Sequence, residues 1–282
     1  MLKVEDVTYI YEADTAMAVH ALNHITVEIP DGQFIGLVGH TGSGKSTFVQ
    51  MLNGLLKPTE GHIYWDGQDI HGEDCDRKAL RAKVGLVFQY PEHQLFETDV
   101  VTDVMFGPKN LGLTPEECRA RAEEALRSVG LDEETWEMSP FDLSGGQKRR
   151  AAIAGVLAMH PGVLILDEPT AGLDPEGRTI ILDEIRNFQE ALGSTIIMVS
   201  HSMEEIASTV NRLVVMNHGQ IFMDGTPAEV FSHADQLREI GLAVPQVTSV
   251  FLRLQEMGIP VDRSVYTVEQ AKAAILKLKE GR

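Results

Sequence analysis

Four short runs constrain the fold of this chain more than any other feature. FIGLV (34–38), VGLVF (84–88), VLIL (163–166) and TIIMV (195–199) are continuous apolar runs apart from the leading Thr195, with no polar alternation. A strand covered on one face alternates apolar and polar residues, whereas a strand buried on both faces reads as a continuous run. The four runs therefore predict the centre of a parallel sheet covered by helices. Each is followed by polar or glycine-containing sequence and then by helical patterning, which puts functional loops at the carboxyl ends of the strands. LKVEDVTYIY and ALNHITVEIP differ in being strand-like but partly alternating. IYWDGQDI (63–70) and LVVMNHGQIFMDG (213–225) read as hairpins turning at Asp66-Gly67 and His218-Gly219. All four of these segments are assigned to an antiparallel layer flanking the parallel core.

Between residues 97 and 142 the strand runs stop. LTPEECRARAEEALRSVG opens with Thr114 as N-cap, Pro115 at the first helical position and Glu117 three residues after the cap, and it closes at Gly130. This predicts a helical insert over about residues 92–160. After Gly225 the pattern changes again: GTPAEVF repeats the Thr, Pro, Glu cap, and TVEQAKAAILKLK places Val268, Ala271, Ile275 and Leu278 on one helix face. The expected division is a main domain over 1–228 and a small helical appendage over 229–282. The 282 residues, 43% of them hydrophobic, suffice for a core of that size.

The formal net charge of −18 repels phosphate backbones, so nucleic acid is a disfavoured partner. The densest basic run, KRR at 148–150, reads as a solvated helix face. Cys75 and Cys118 lie far apart without metal-ligand spacing, which fits a reducing cytosol. Charges in MLKVEDVTYIYE argue against a signal peptide, and the longest apolar stretch, AAIAGVLAM, is about half of the roughly 20 residues that span a bilayer. A soluble chain is expected, one able to dock on a membrane component.

GHTGSGKST, residues 39–47, lies between the first buried run and the helical TFVQMLNGLL. Gly39, Gly44, Lys45 and Ser46 fit the phosphate-loop pattern G-x-x-x-x-G-K-[ST]. Glycines let backbone N–H groups surround phosphate oxygens where a Cβ would clash, and the following helix adds the positive end of its dipole. Lys45 supplies a charge for the β- and γ-phosphates, and Ser46 a hydroxyl for Mg²⁺. The whole loop, Gly39, His40, Thr41, Gly42, Ser43, Gly44, Lys45, Ser46 and Thr47, is assigned to the nucleotide, with His40 in a variable slot. VLILDEPTAGLD supplies the complementary acids at a strand end. Asp167 is placed to hold Mg²⁺, and Glu168 to orient or deprotonate the attacking water.

In DLSGGQKRRAAIAGVLAM, Ser144, Gly145 and Gly146 precede a second well-patterned helix and make a second anion-binding N-terminus. Here the chain resembles an ATP-binding cassette ATPase, with the resemblance covering roughly residues 1–225. It implies that LSGGQ, with Gln147, closes over the γ-phosphate of ATP held by a partner's phosphate loop. The implied unit is a head-to-tail dimer with two sandwiched ATP molecules. Further motifs of the family follow in order. Tyr11 matches the aromatic that stacks on adenine, with Tyr9 alternating onto the same face. Gln89 matches the glutamine that senses Mg²⁺ and the attacking water, Asp174 the D-loop, and His201 the switch histidine that contacts the γ-phosphate. In SHSMEE, Ser202 and Glu205 read as a capping box that leaves His201 just outside its helix. The resemblance implies ATP and Mg²⁺ as cofactors and an active hydrolase.

QYPEHQLFETDVVTDVMFG, after Gln89, resembles the corresponding loop of the ATPases of energy-coupling-factor transporters, which drive uptake of vitamins and transition-metal ions such as cobalt or nickel. That resemblance implies a groove for the coupling helices of a membrane scaffold protein. It also implies a substrate-binding membrane protein and a second ATPase chain as partners, at the cytoplasmic face of the membrane. Tyr90, Pro91, Glu92, Gln94 and Phe96 are the residues placed in the groove, with Glu92 expected to pair with an arginine of a coupling helix. The appendage resembles the dimerising extension of the same group, and the chain looks more like the second member of a heterodimeric pair. The alternatives are the ATPase of another ATP-binding cassette importer or exporter, or a soluble cassette protein. The absence of sustained heptads and the acidic balance weigh against the last.

Overall fold

A computed structural model describes residues 1–280. β1 (Leu2–Tyr11), β2 (Val19–Ile29), β4 (Glu60–Trp65) and β5 (Gln68–Asp69) form an antiparallel sheet in the order β2-β1-β4-β5. The second sheet contains β3 (Phe34–Val38), β6 (Val84–Val87), β7 (Val163–Asp167), β8 (Thr195–Val199), β9 (Arg212–Asn217) and β10 (Gln220–Gly225), in the order β10-β9-β3-β8-β7-β6. β3, β6, β7 and β8 are buried at every position and pair in parallel. Successive side chains of a strand point to opposite faces. Val163 and Ile165 thus join the core under the antiparallel sheet, while Leu164 and Leu166 join the core under the helices.

The hairpin at 213–225 belongs to this main sheet and not to the flanking layer. β9 pairs in parallel with β3, from Ile35↔Arg212 to Val38↔Val215, and β10 closes the edge antiparallel to β9. Leu213 to Met216 is as continuously apolar and as buried as the other central runs, so pairing followed burial. The other hairpin turns where expected, with Trp65 opposite Gln68 in the antiparallel sheet.

α1 (Lys45–Leu52) follows β3 and stops earlier than TFVQMLNGLL suggests, because Gly54 takes a positive φ of 71° and the side-chain Nδ2 of Asn53 donates to the Val84 carbonyl. After α2 (Arg77–Lys83) come the helices of the insert: α3 (Val100–Asn110), α4 (Pro115–Ser128) and α5 (Gly145–Leu157). They bury Val104, Leu126 and Ile153 with the sheet. α6 (Pro175–Leu192) and α7 (Met203–Thr209) cover the same face. Complete capping boxes start α4 (Thr114/Glu117), α5 (Ser144/Gln147) and α8 (Pro227–Ser232; Thr226/Glu229). At α7 only half of the box forms: Ser202 Oγ accepts from the Glu205 amide, but the Glu205 carboxylate goes elsewhere.

α9 (Ala234–Glu239) and the residues after it still belong to the large core through Leu237, Leu242 and Val244. α10 (Gln246–Glu256) and α11 (Val268–Glu280) enclose a small separate cluster of Phe251, Val265 and Ala271. Pro245 offers α10 no side-chain cap, and Glu204 Oε1 of α7 accepts from the Gln246 amide at 3.1 Å instead. Of the face expected on α11, Ala271 is buried and Leu278 half-buried, while Val268 and Ile275 are exposed. No helix among the described residues is long and apolar enough to cross a membrane.

Candidate active site

The carboxyl ends of β3, β7 and β8 converge on a cleft of about 270 Å³ lined by Thr41, Gly42, Gly44, Lys45, Ser46, Thr47, Gln89, Asp167, Glu168 and His201. α1 begins at this cleft with no side-chain cap, so the N–H groups of its first turn have no partner within the helix and face the cleft. Lys45 is 6% exposed. Its Nζ donates to the carbonyls of Gly39 (2.7 Å) and His40 (3.1 Å), which folds the loop around the ammonium. Burial lowers its pKa, against the pull of Glu168 and Asp167.

Two glycines are required here for a reason the sequence does not display. A Cβ on Gly39 would lie 2.4 Å from the Met216 carbonyl oxygen, and one on Gly44, at φ 101°, 2.5 Å from that of Ala21. It is packing of the loop against β2 and β9 that excludes a side chain at these two positions.

Ser46 Oγ donates to Asp167 Oδ2 at 3.1 Å, which brings the two expected Mg²⁺ ligands together with Gln89 in the same cleft. This all-oxygen set suits a hard divalent cation that also binds nucleotide phosphates. No group of three His, Cys, Asp or Glu side chains suited to a metal occurs among the described residues. Burial raises the pKa of Asp167, opposed by Ser46, Lys45 and His201.

Glu168 is 9% exposed and sits in the left-handed region at φ 55°, a conformation that costs a non-glycine residue about 1 kcal/mol or more. Its amide donates to the Val199 carbonyl at 3.0 Å. The carboxylate lies 3.3 Å from His201 Nε2, but Oε1 makes no hydrogen bond. Burial and the neighbouring Asp167 charge push its pKa up to about 7. A carboxyl tuned to that range is suited to take a proton near neutrality. The pKa of His201 is lowered by burial and by Lys45.

Tyr11 is exposed beside the cleft, hydrogen-bonded through its hydroxyl to Thr47 Oγ1 at 3.0 Å and edge-on to Tyr9 at 4.8 Å. His40 turns away from the cleft, with Nδ1 on its neighbour's carbonyl at Thr41 and Nε2 on Asn217. Asp174 caps α6 by accepting from Gly177 at 2.7 Å. Ser144, Gly145, Gly146 and Gln147 open α5 and line no part of the cleft.

The second site is a groove of about 800 Å³ between α2, the loop after β6, α3 and α5. Gln94 and Phe96 line it, together with Phe106, Val156 and Met159 and an edge of Arg77, Lys78 and Arg81. Phe96 and Phe106 meet edge-on at 5.1 Å and remain exposed. Glu92 does not face outward. It makes a two-point ion pair with Arg149 of α5, at 3.1 and 3.2 Å, because that guanidinium is 3% exposed and requires a counter-charge. Pro91 is buried, and Tyr90 lies against Arg149 with its ring exposed. Phe106 is displayed in DVMFG, but its pairing with Phe96 depends on how α3 packs.

A phosphate loop at a buried strand end, with a paired acid and a polarised carboxyl across the cleft, defines a P-loop ATPase. Residues 22–171 match the ABC transporter family. The chain is 54% identical over 278 residues, 98% of each protein, to the energy-coupling factor transporter ATP-binding protein EcfA2 of Clostridium perfringens. It is 52% identical to the EcfA2 of Caldanaerobacter subterraneus, over 99% of this chain and 98% of that one. Among solved structures it is similar to cbiO1 of Clostridium perfringens, part of the ABC transporter complex cbiONQ, with a TM-score of 0.75 and 40% identity over 91% of this chain and 96% of that one. The ATP-binding cassette MJ0796, in a dimeric post-hydrolysis state bound to ADP and Pi, gives a TM-score of 0.73 and 31% identity over 80% and 98%. The chain belongs to the ABC transporter ATPases, and within them to the ATP-binding proteins of energy-coupling factor transporters. The activity of this family is ATP hydrolysis coupled to transport.

Proposed function

We propose that this chain powers a membrane uptake complex for vitamins or transition-metal ions by closing on ATP as half of a head-to-tail ATPase dimer. One observation carries the reading: the glycine-containing helix start at Ser144–Gln147, the second such N-terminus of the chain, lies outside the chain's own phosphate cleft. Two half-sites that do not meet within one chain are completed by a second cassette, in the homodimeric or heterodimeric form of the group.

In the resulting pocket Lys45 and the first-turn amides of α1 hold the β- and γ-phosphates. Tyr11 offers a ring to adenine. Ser46, Asp167 and Gln89 would hold Mg²⁺, which would offset the charge of the phosphates. Glu168 accepts the proton of the attacking water and His201 steadies the γ-phosphate. Asp174 and the signature residues come from across the dimer interface. The groove at Phe96 and Phe106 receives coupling helices of a membrane scaffold protein, which holds the ATPase peripherally at the cytoplasmic face beside a substrate-binding membrane protein. The exposed Val268 and Ile275 of the appendage support a role in holding two ATPase chains together.

The dimer reading is tested by measuring ATPase activity against protein concentration. Specific activity should rise with concentration and approach zero on dilution; constant specific activity would mean that one cassette suffices. Identification of the proteins that co-purify from solubilised membranes tests the partners.

A further inference from the structure

We infer that Glu205 is a positioning residue of the hydrolytic centre, fastening the strand end that carries Glu168 to the strand end that carries His201. This rests on reading Glu168 as the base and His201 as the switch.

The pattern SHSMEE offers Glu205 an ordinary task, that of returning its carboxylate to the amide of Ser202 and completing a capping box. The three other boxes of the chain do this. At α7 the Ser202 amide donates instead to Ser200 Oγ at 3.0 Å, and the carboxylate is released. Glu205 Oε2 then accepts from two hydroxyls, Thr170 Oγ1 at 2.8 Å and Ser200 Oγ at 3.2 Å. Both hydroxyl residues are buried, and the Glu205 side chain is 11% exposed. Burying a carboxylate is costly unless its oxygens are satisfied. An apolar residue could fill this space more cheaply, so the cost points to a geometric task.

The two donors identify that task. Thr170 lies two residues beyond Glu168, after β7, and Ser200 lies one residue before His201, after β8. The two strand ends are already joined by the β7–β8 pairing up to Asp167↔Val199, by the Glu168 amide on the Val199 carbonyl and by the Glu168–His201 contact, and the Glu205 carboxylate adds a side-chain tie behind them. Such a tie bears on Glu168, because its backbone is held at a positive φ and its carboxylate meets His201, the residue at the other strand end. Its aim is set by the backbone beneath it. Arg178 extends the arrangement: Nη1 lies 4.0 Å from Glu205 Oε1 while Nε donates to the Leu173 carbonyl, next to Asp174. One carboxylate thus links the base, the switch and the loop leading to Asp174.

The test is steady-state ATPase kinetics of the full chain with a separate nucleotide-binding measurement. Glu205→Ala should lower kcat about ten- to a hundredfold, the scale of a misplaced catalytic group, with KM and ATP affinity within about twofold of wild type. Glu205→Gln keeps an acceptor for the two hydroxyls and should recover to within about threefold. Thr170→Val should lower kcat alone, and should add little when combined with Glu205→Ala. Because Thr170→Val leaves the carboxylate and its arginine in place, it carries the test if Glu205→Ala does not fold. The inference is overturned if Glu205→Ala turns over at the wild-type rate. It is equally overturned if Glu205→Gln is as impaired as Glu205→Ala, or if the effects of Thr170→Val and Glu205→Ala multiply. Glu168→Gln separates the two readings. If it stalls while Glu205→Ala is normal, only the positioning role fails; if it hydrolyses ATP normally, the assignment of the base fails and this inference with it.

Discussion

The phosphate cleft and the insert groove are built on opposite plans. The cleft is polar, about 270 Å³, and comes from six residues between Thr41 and Thr47 together with the ends of β6, β7 and β8. The groove is about 800 Å³, floored by apolar side chains, and drawn from two helices of the insert, α2 and the loop after β6. The first holds its charges by burial and backbone dipoles, the second leaves two phenylalanines in water. That difference predicts which function each loses when damaged: turnover in the cleft, attachment in the groove.

The largest expected effect is on turnover. Glu168→Gln should retain ATP but hydrolyse it about a thousandfold more slowly, as judged by phosphate release against nucleotide binding. The folded-state pKa of Glu168, about 7, lies above its ordinary 4.5, so its burial has no cost below pH 4.5 and its full cost above pH 7. Glu168→Gln should therefore melt higher than wild type at pH 8, by up to about 3 kcal/mol, and the gap should close as pH falls toward 4.5. Wild-type turnover should rise with pH through about 7 as the carboxyl ionises.

Glu92→Ala is expected next. It strands a buried guanidinium at Arg149 and should cost about 3–5 kcal/mol in denaturant melts. Unchanged stability with lost membrane attachment would return Glu92 to the groove. Phe96→Ala with Phe106→Ala should weaken attachment to the membrane complex about tenfold or more, while basal ATPase stays within about twofold, since both rings are exposed. A comparable loss of ATP hydrolysis would erase the contrast between the two sites. The smallest effect belongs to Tyr11→Phe, which removes one hydrogen bond to Thr47 and should raise KM by less than about fivefold.

The cleft was legible because its chemistry is local. GHTGSGKST is one segment, and Asp167, Glu168 and His201 each follow a continuous apolar run, so strand ends alone brought them together. The groove was legible only in part. Gln94 and Phe96 belong to the loop, but Phe106, Val156 and Met159 reach it through the crossing of α3 and α5, which no periodicity encodes. Glu92 misled because an exposed-looking acid beside a helical insert carries no mark of the arginine that claims it. The 213–225 hairpin misled in the opposite way: its turn residues were conspicuous, while the burial of Leu213 to Met216 decided its sheet. At α7 a correct capping pattern concealed a carboxylate with other partners.

The neighbouring residue, Glu204, has a consequence for observing the molecule at work. It accepts from the Gln246 amide at the start of α10, a hydrogen that no side chain of its own segment protects. That single amide is therefore a natural exchange probe of α7: its hydrogen stays slow to trade with solvent while the helix behind His201 holds its place, and becomes fast when that helix moves. Movement of α7 can thus be timed from the start of α10, with no label in the cleft itself.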